Sequence, residues 1–179
     1  MRRLLKSGGD CECELARTVG SKPDPAEARE VIAASDLVFI GGGDVEEGMQ
    51  VLEQRKVTAT LQQKRAQGTP VFGVSAGAIM LGRQWVRWRD PDDDTSAELF
   101  DCLGFADVVC DTHGEKDRWA ELHALLALAG EGARGYGIRT NAAVRVEGGE
   151  VEVLVGKVDA LQLRNGQVVA AAPPPPPRR

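Results

Sequence analysis

The sequence predicts an α/β fold: three layers, with a mostly parallel sheet carrying helices on both faces. Three observations carry that expectation. The runs Asp36–Ile40 and Val71–Val74 are short and nearly continuously apolar, as strands buried on both faces are. Segments with apolar residues three and four apart alternate with them. Each apolar run ends in small residues that lead directly into helical sequence, the strand-to-helix succession of parallel α/β folds.

In chain order, residues 1–7 read as the end of a helix and Gly8-Gly9-Asp10 as a turn. A strand is expected from about Cys11 to Val19. Asp24 and Pro25 form an N-cap and first-turn proline for a helix over Ala26–Ala34, with Ala28, Val31 and Ile32 on its buried stripe. The strand ending at Ile40 gives way to Gly41-Gly42-Gly43-Asp44 and helical sequence as far as Gln67. The next strand, ending at Val74, runs into Ser75-Ala76-Gly77-Ala78 and a helix. Trp85–Arg89 mixes apolar and basic residues, a half-exposed strand. Asp90–Glu98 reads as an acidic loop, and Ala106–Asp111 as a strand with His113 just past its end. From Asp117, the spacing of Trp119, Leu122, Leu125, Leu126 and Ala129 predicts an amphipathic helix. Short strands follow Gly135, with hairpin turns at Gly148-Gly149 and Asn165-Gly166. A single domain over 1–172 is expected. Residues 173–179, Pro173–Pro177 with Arg178 and Arg179, read as an extended, flexible, solvated tail.

Composition narrows the function classes. Hydrophobic residues at 42% and charged residues at 27% suit a globular protein, and a net charge of −5 argues against binding nucleic acid or anionic lipid. No apolar stretch reaches the roughly 18–20 residues that span a bilayer. Met1, Arg2 and Arg3 are not followed by an apolar signal core, so a cytoplasmic location is expected. Cys11 and Cys13 form C-x-C, while Cys102 and Cys110 stand among strand-like residues. Neither spacing suits zinc, and reduced thiols are expected, with no metal or organic cofactor.

The sharpest motif is Gly73-Val74-Ser75-Ala76-Gly77, a G-x-S-x-G between a buried strand and a helix. A serine at the tip of such a turn has strained backbone and an exposed hydroxyl, and small residues at 73 and 77 let strand and helix backbones approach. Gly41–Gly43 lie at the C-terminal end of the preceding strand, where open α/β sheets place their sites, and bare backbone N–H groups there can approach a developing oxyanion. Neither G-x-G-x-x-G nor G-K-[ST] is present, which argues against a phosphate loop. A serine also needs a base, and the chain has two histidines. His113 follows a strand in a loop, and His123 sits inside a helix, which favours His113.

These residues resemble a known family. The strand-GGGD-helix, the G-x-S-A-G-A elbow and the stretch from Phe100 through Gly104 to His113 are similar to dipeptidase E (aspartyl dipeptidase) and its cyanophycinase relatives over roughly residues 24–150. The resemblance implies a class I glutamine amidotransferase-like fold, with Ser75 where those amidotransferases carry cysteine. It implies Ser75 as nucleophile, His113 as base, and backbone N–H groups of Gly42, Gly43 and Ala76 as oxyanion hole. Gly114–Arg118 is similar to the family's glycine-glutamate-basic region, which implies Arg118, with Lys116 as second choice, for an acidic substrate, and Asp44 joins the substrate-binding set. Two departures stand out. Thr140, in Gly137–Ala143, occupies a position where many relatives carry glutamate. Asp90 is then the first choice for the acid that supports the histidine, with Asp111, Glu115 or no acid as alternatives. The family's usual first strand also has no counterpart in this sequence, which would mean a rearranged sheet, a subunit contact or a start chosen downstream.

The expected activity is that of a serine exopeptidase that hydrolyses short peptides with N-terminal aspartate through an acyl-enzyme at Ser75. The alternative is a non-catalytic relative acting as a binding or assembly module, and an esterase would share the chemistry. A short peptide is the expected partner, without nucleic acid or membrane, and a homodimer is compatible with the sequence.

Overall fold

The computed structural model describes residues 11–20 and 22–177. The helix and turn expected before Cys11, and Arg178-Arg179, lie outside the described residues. The chain forms two compact units, one taking in the chain up to Val38 with Gln50–Val71, the other Phe39–Met49 with Phe72 onwards.

In the first unit, helix α1 (Pro25–Ala34) starts as expected. The Asp24 carboxylate accepts from the N–H groups of Ala26 (3.0 Å) and Glu27 (2.9 Å). The second half of α2 (Val45–Gln54) and all of α3 (Thr58–Ala66) also belong here. The helical sequence expected as far as Gln67 thus forms two helices. Lys56, at φ +56°, turns the chain between them and delivers Val57 to a fully buried position. Ala28, Ile32, Val57 and Leu61 form this unit's apolar interior, and Lys64 Nζ donates to the Ala33 carbonyl (3.2 Å) between α3 and α1. The strand expected over Cys11–Val19 is not formed. Its Cys-Glu-Cys-Glu alternation has the right period, but no described strand pairs with it, and Leu15 and Val19 are exposed.

Strands β1 (Val38–Ile40) and β2 (Val71–Gly73) pair with each other and run in the same direction. Val38 N–H donates to Pro70 O (3.0 Å) and Val74 N–H to Ile40 O (3.2 Å).

The second unit carries helix α4 (Ala76–Leu81), β3 (Gln84–Trp88), β4 (Ala97–Asp101), β5 (Val109–Thr112), helix α5 (Ala120–Ala129) and β6 to β10 (Arg134–Ile138, Ala143–Glu147, Glu150–Val155, Val158–Arg164 and Gln167–Ala170). Its larger sheet has the order β10-β9-β6-β5. β5 and β6 are parallel, with Val109 opposite Gly135, and β9 and β10 add on antiparallel. Both glycine-containing hairpin turns are where the sequence puts them, with Asn165 (φ +52°) and Gly166 (φ +73°) in the left-handed conformation a tight hairpin needs.

Half of the acidic segment at Asp90–Glu98 is not loop. Asp94–Ser96 make a 3-10 turn, and β4 begins at Ala97, antiparallel to β3. The acid Glu98 belongs on that strand because it faces Arg87 (2.7 Å) across the pair. The proline run is likewise not simply solvated. Val153 N–H of β8 donates to Pro175 O (2.9 Å), Arg134 donates to the Ala172 carbonyl, and Pro174 is buried. Prolines bring carbonyls and no N–H, which suits them to cap the open donor edge of a strand.

Two apolar clusters hold this unit. Val86, Val109, Trp119, Leu122, Leu125 and Leu126 place α5 on the sheet. Val45, Ala76, Ile79, Met80 and Cys110 fix α4 against β5. The second cluster positions the serine turn relative to the strand that precedes His113. Among the described residues, no helix is long and apolar enough to cross a membrane.

Candidate active site

Ser75 is the hinge of a strand-to-helix turn. It follows β2 by two residues and is the N-cap of α4, with φ +57° and ψ −132°, a conformation that costs energy in any residue with a side chain. Its surroundings impose that conformation. A side chain on Gly73 would strike the Gly77 carbonyl, and one on Gly77 would strike the carbonyls of Ile40 and Gly41. The two glycines of G-x-S-x-G thus let the backbones of β1, β2 and α4 cross at contact distance. Gly42 closes the turn from the other side: a Cβ there would lie 2.9 Å from Ser75 Cβ and 3.4 Å from its Oγ.

His113 comes from the end of β5, as its position in sequence predicts. Its backbone is also left-handed (φ +47°), and its N–H donates to the Ile138 carbonyl at the end of β6 (3.0 Å). That turn aims the ring back at the serine, with Ser75 Oγ 2.9 Å from His113 Nε2. The two residues, 38 positions apart in sequence, form a serine-histidine pair at hydrogen-bond distance, the arrangement a nucleophile and its base require. His123, the other histidine, is exposed on α5 and away from Ser75, lining a different cleft.

Asp90 is not brought to His113. Its carboxylate accepts the N–H of Asp92 (3.1 Å), and Ser96 ties down its backbone. Asp44 serves as a helix cap, accepting the N–H of Glu47 at the start of α2 (2.8 Å). The N–H of Ala76 opens α4 and has no intrahelical acceptor, so it is available at the serine turn beside Gly42 and Gly43. Arg118 (φ +59°) and Trp119 (φ +64°) lead into α5. Trp119 was expected on the helix face and instead sits just before the helix, buried, its indole N–H donating to Asp159 (2.9 Å).

Arg118 lines an open cleft of about 1000 Å³ together with Glu115, His123, Arg139, Lys157 and Asp159. Arg139 is engaged by Asp159 through two bonds of 2.8 and 3.0 Å, while Arg118 and Lys157 have no ion-pair partner among the described residues. Ser75 and His113 are not on its wall. Glu115 and Arg118 connect it to the loop that carries His113. Lys157 and Asp159 carry no motif, since β9 reaches the cleft only by pairing with β6, and Arg139 stands within the Gly137–Ala143 stretch without a role assigned from sequence.

Two carboxylates flank His113 in sequence. Asp111 is 6% exposed, and burial pushes its carboxyl up to about 6, with neighbouring acids adding to the rise. Glu115 is held below the usual carboxylate value, first by its own backbone N–H, then by Thr140, with His113 contributing. Burial pushes the thiols of Cys102 and Cys110 up to about 12, which leaves them unreactive. Among the described residues, no group of three or more His, Cys, Asp or Glu is placed to hold a metal ion.

The profile of Peptidase family S51 matches residues 1–154. Among curated proteins, the chain is 26% identical over 150 residues to the pyridoxal 5'-phosphate synthase subunit PdxT of Geobacillus thermodenitrificans, covering 83% of this chain and 72% of that one. Among solved structures it resembles a peptidase from an acI-B1 actinobacterium, with a TM-score of 0.60 and 21% identity, over 83% of this chain and 64% of the other. A putative peptidase E from Listeria monocytogenes EGD-e superposes with a TM-score of 0.47 at 14% identity, over 84% and 66%. The chain thus spans about two thirds of the length of these two structures. The actinobacterial likeness is one of fold and bears out the expected α/β class, while the expected mostly parallel sheet is not formed among the described residues, since β9, β10 and the β3-β4 and β7-β8 pairs are antiparallel.

Proposed function

The chain belongs to peptidase family S51, and from that premise we propose that it is a serine peptidase in which Ser75 is the nucleophile and His113 the base. The observation that carries the reading is the 2.9 Å approach of Ser75 Oγ to His113 Nε2 at a strained elbow. Ser75 Oγ attacks the scissile carbonyl as its proton passes to His113 Nε2. The N–H groups of Ala76, Gly42 and Gly43 receive the oxyanion. His113 then gives the proton to the leaving amine, and the acyl-enzyme is hydrolysed by a water that His113 deprotonates in turn.

The proposed substrates are short peptides with N-terminal aspartate, β-aspartyl peptides being second. What supports this is the cleft beside His113, where Arg118 and Lys157 stand without ion-pair partners among the described residues. A guanidinium offers a carboxylate two parallel hydrogen bonds, so Arg118 is the better recogniser. The reading assigns the protein to the cytoplasm, which keeps Cys102 and Cys110 reduced.

Intact-mass analysis after fluorophosphonate treatment tests the activity. One adduct on the wild type that is lost in Ser75→Ala is the expected result, together with hydrolysis of aspartyl dipeptides that the same substitution abolishes. Thr140, standing where relatives carry glutamate, favours the second reading, a non-catalytic relative that binds peptides. A well-folded wild type that takes no adduct decides for it. Faster turnover of simple acyl esters than of aspartyl peptides would make the protein an esterase.

A further inference from the structure

A serine-histidine pair needs something to hold the far side of the imidazole. His113 Nε2 accepts the serine proton only when the ring's own proton sits on Nδ1, and nothing described hydrogen-bonds that nitrogen. Four carboxylates deserve weighing for the role. Asp90 caps Asp92 in its own loop. Asp159 is committed to Arg139 and Trp119. Asp111 accepts the Thr112 N–H (2.6 Å) and faces Gly114 and the acids Glu121, Asp117 and Glu115, whose like charges weigh against a further ionised partner there.

Glu115 is different in three respects. Its Oε1 accepts the Thr140 N–H (3.2 Å). Its Oε2 is sealed from solvent and has no hydrogen-bond partner, a state that calls for a donor. Its carboxyl is held below the usual carboxylate value, first by its own backbone N–H and then by Thr140, with His113 the smallest contributor. The same strand end makes both attachments: the Ile138 carbonyl holds the His113 N–H (3.0 Å), and Thr140, two residues on, holds the Glu115 carboxylate. The end of β6 therefore anchors both the His113 backbone and the Glu115 carboxylate.

We propose that Glu115 is the positioning carboxylate of the Ser75–His113 pair, its Oε2 taking the hydrogen bond of the His113 Nδ1–H. The inference rests on the reading of Ser75 and His113 as the reacting pair. Glu115 stays ionised throughout. The serine proton moves to Nε2, the imidazolium that forms is balanced by Glu115, and the Nε2 proton leaves with the amine. Thr140 keeps a part in this arrangement through its backbone, which explains how a site without an acid at position 140 remains complete.

The test compares wild type with Glu115→Gln in three measurements: the rate of fluorophosphonate labelling of Ser75, the melting temperature, and nitrogen-edited NMR of the imidazole rings. With two histidines in the chain, His123→Gln assigns the His113 signals. Glu115→Gln is expected to slow labelling by about 10²–10⁴-fold at an unchanged melting temperature, with the His113 ring proton moving from Nδ1 towards Nε2. Adding Thr140→Glu to Glu115→Gln is expected to recover about tenfold or more, since it returns a carboxylate to the residue that now holds one. Labelling at the wild-type rate overturns the proposal, and so does an unchanged ring-nitrogen pattern. Should wild-type Ser75 take no label at all, the peptidase reading fails while the NMR comparison still decides the role of Glu115.

Discussion

Ser75 keeps its positive φ because the residues around it leave the turn no room to relax, and Gly42 is the most exacting of them. In Gly42→Ala, the new methyl meets Ser75 Cβ at 2.9 Å with the Val74 carbonyl behind it at 3.3 Å, so Ser75 must give way by some tenths of an ångström. A displacement of that kind at a reacting atom is expected to lower kcat/KM by about 10–100-fold, with the loss mainly in kcat, as steady-state kinetics on an aspartyl dipeptide would show. Asp111 makes a prediction of opposite sign. A carboxyl raised from 3.8 to about 6 means that the folded chain holds the proton more tightly than the unfolded one. Its contribution to stability is complete below about pH 4 and lost as pH rises through about 6. Above that, a buried charge faces Glu121, Asp117 and Glu115, at a cost on the order of 2 kcal/mol. Asp111→Asn, which still offers an acceptor to the Thr112 N–H, is therefore expected to melt higher than wild type at pH 8 and alike at pH 4. Urea unfolding at the two pH values checks it.

At the scale of elements, α5 is the piece whose removal would undo the second unit. Leu122 is fully buried and lies against Gly135 of β6, where a side chain would strike its Cδ1 at 2.7 Å. Leu122→Ala empties that contact and is expected to cost about 2–5 kcal/mol, read as a lower urea midpoint at constant m. This helix was legible because its apolar residues repeat at helical spacing, and α1 was legible from its cap. The two strands before the glycine and serine turns were legible as short apolar runs flanked by turn residues, although burial on both faces is not met: Val38 is buried, Phe39, Ile40 and Val71–Gly73 are half-buried, and Leu37 and Val74 are exposed. β4 was not legible: two of the five residues of Ala97–Asp101 are acidic, and its stability as a strand comes from a partner whose Arg87 answers Glu98. The segment after Cys11 failed in the reverse way, since alternation marks a strand only where a neighbour accepts its hydrogen bonds. Ser75 and His113 could each be picked from the local pattern. The supporting acid stayed open among Asp90, Asp111, Glu115 and none, because a carboxylate's value to a histidine depends on which strand end holds it, and that is set by the pairing of β5 with β6.

For the whole molecule, charge sets the selectivity problem. A net charge of −5 repels an acidic peptide at long range, so any preference for N-terminal aspartate must come from a local reversal of sign. The cleft beside the His113 loop balances Arg118, Arg139 and Lys157 against Glu115, Asp117 and Asp159, so the reversal has to come from single cations within it. Arg118 and Lys157 stand on its wall without ion-pair partners among the described residues, while Arg139 is neutralised by Asp159. Arg118 is exposed and unburdened by an internal pair, so its removal takes away binding without leaving a buried charge behind. An interaction with a substrate carboxylate made equally in ground and transition states appears in KM alone. Arg118→Ala is accordingly expected to raise KM for aspartyl dipeptides by about tenfold, the equivalent of about 1.4 kcal/mol, with kcat nearly unchanged. Because the fluorophosphonate carries no carboxylate, its rate of reaction with Ser75 should stay at the wild-type value. Equal losses on aspartyl and alanyl dipeptides would mean that Arg118 supports the loop and recognises nothing. A loss confined to the aspartyl peptide would tie this cleft to the serine and make Arg118 the residue that selects the substrate.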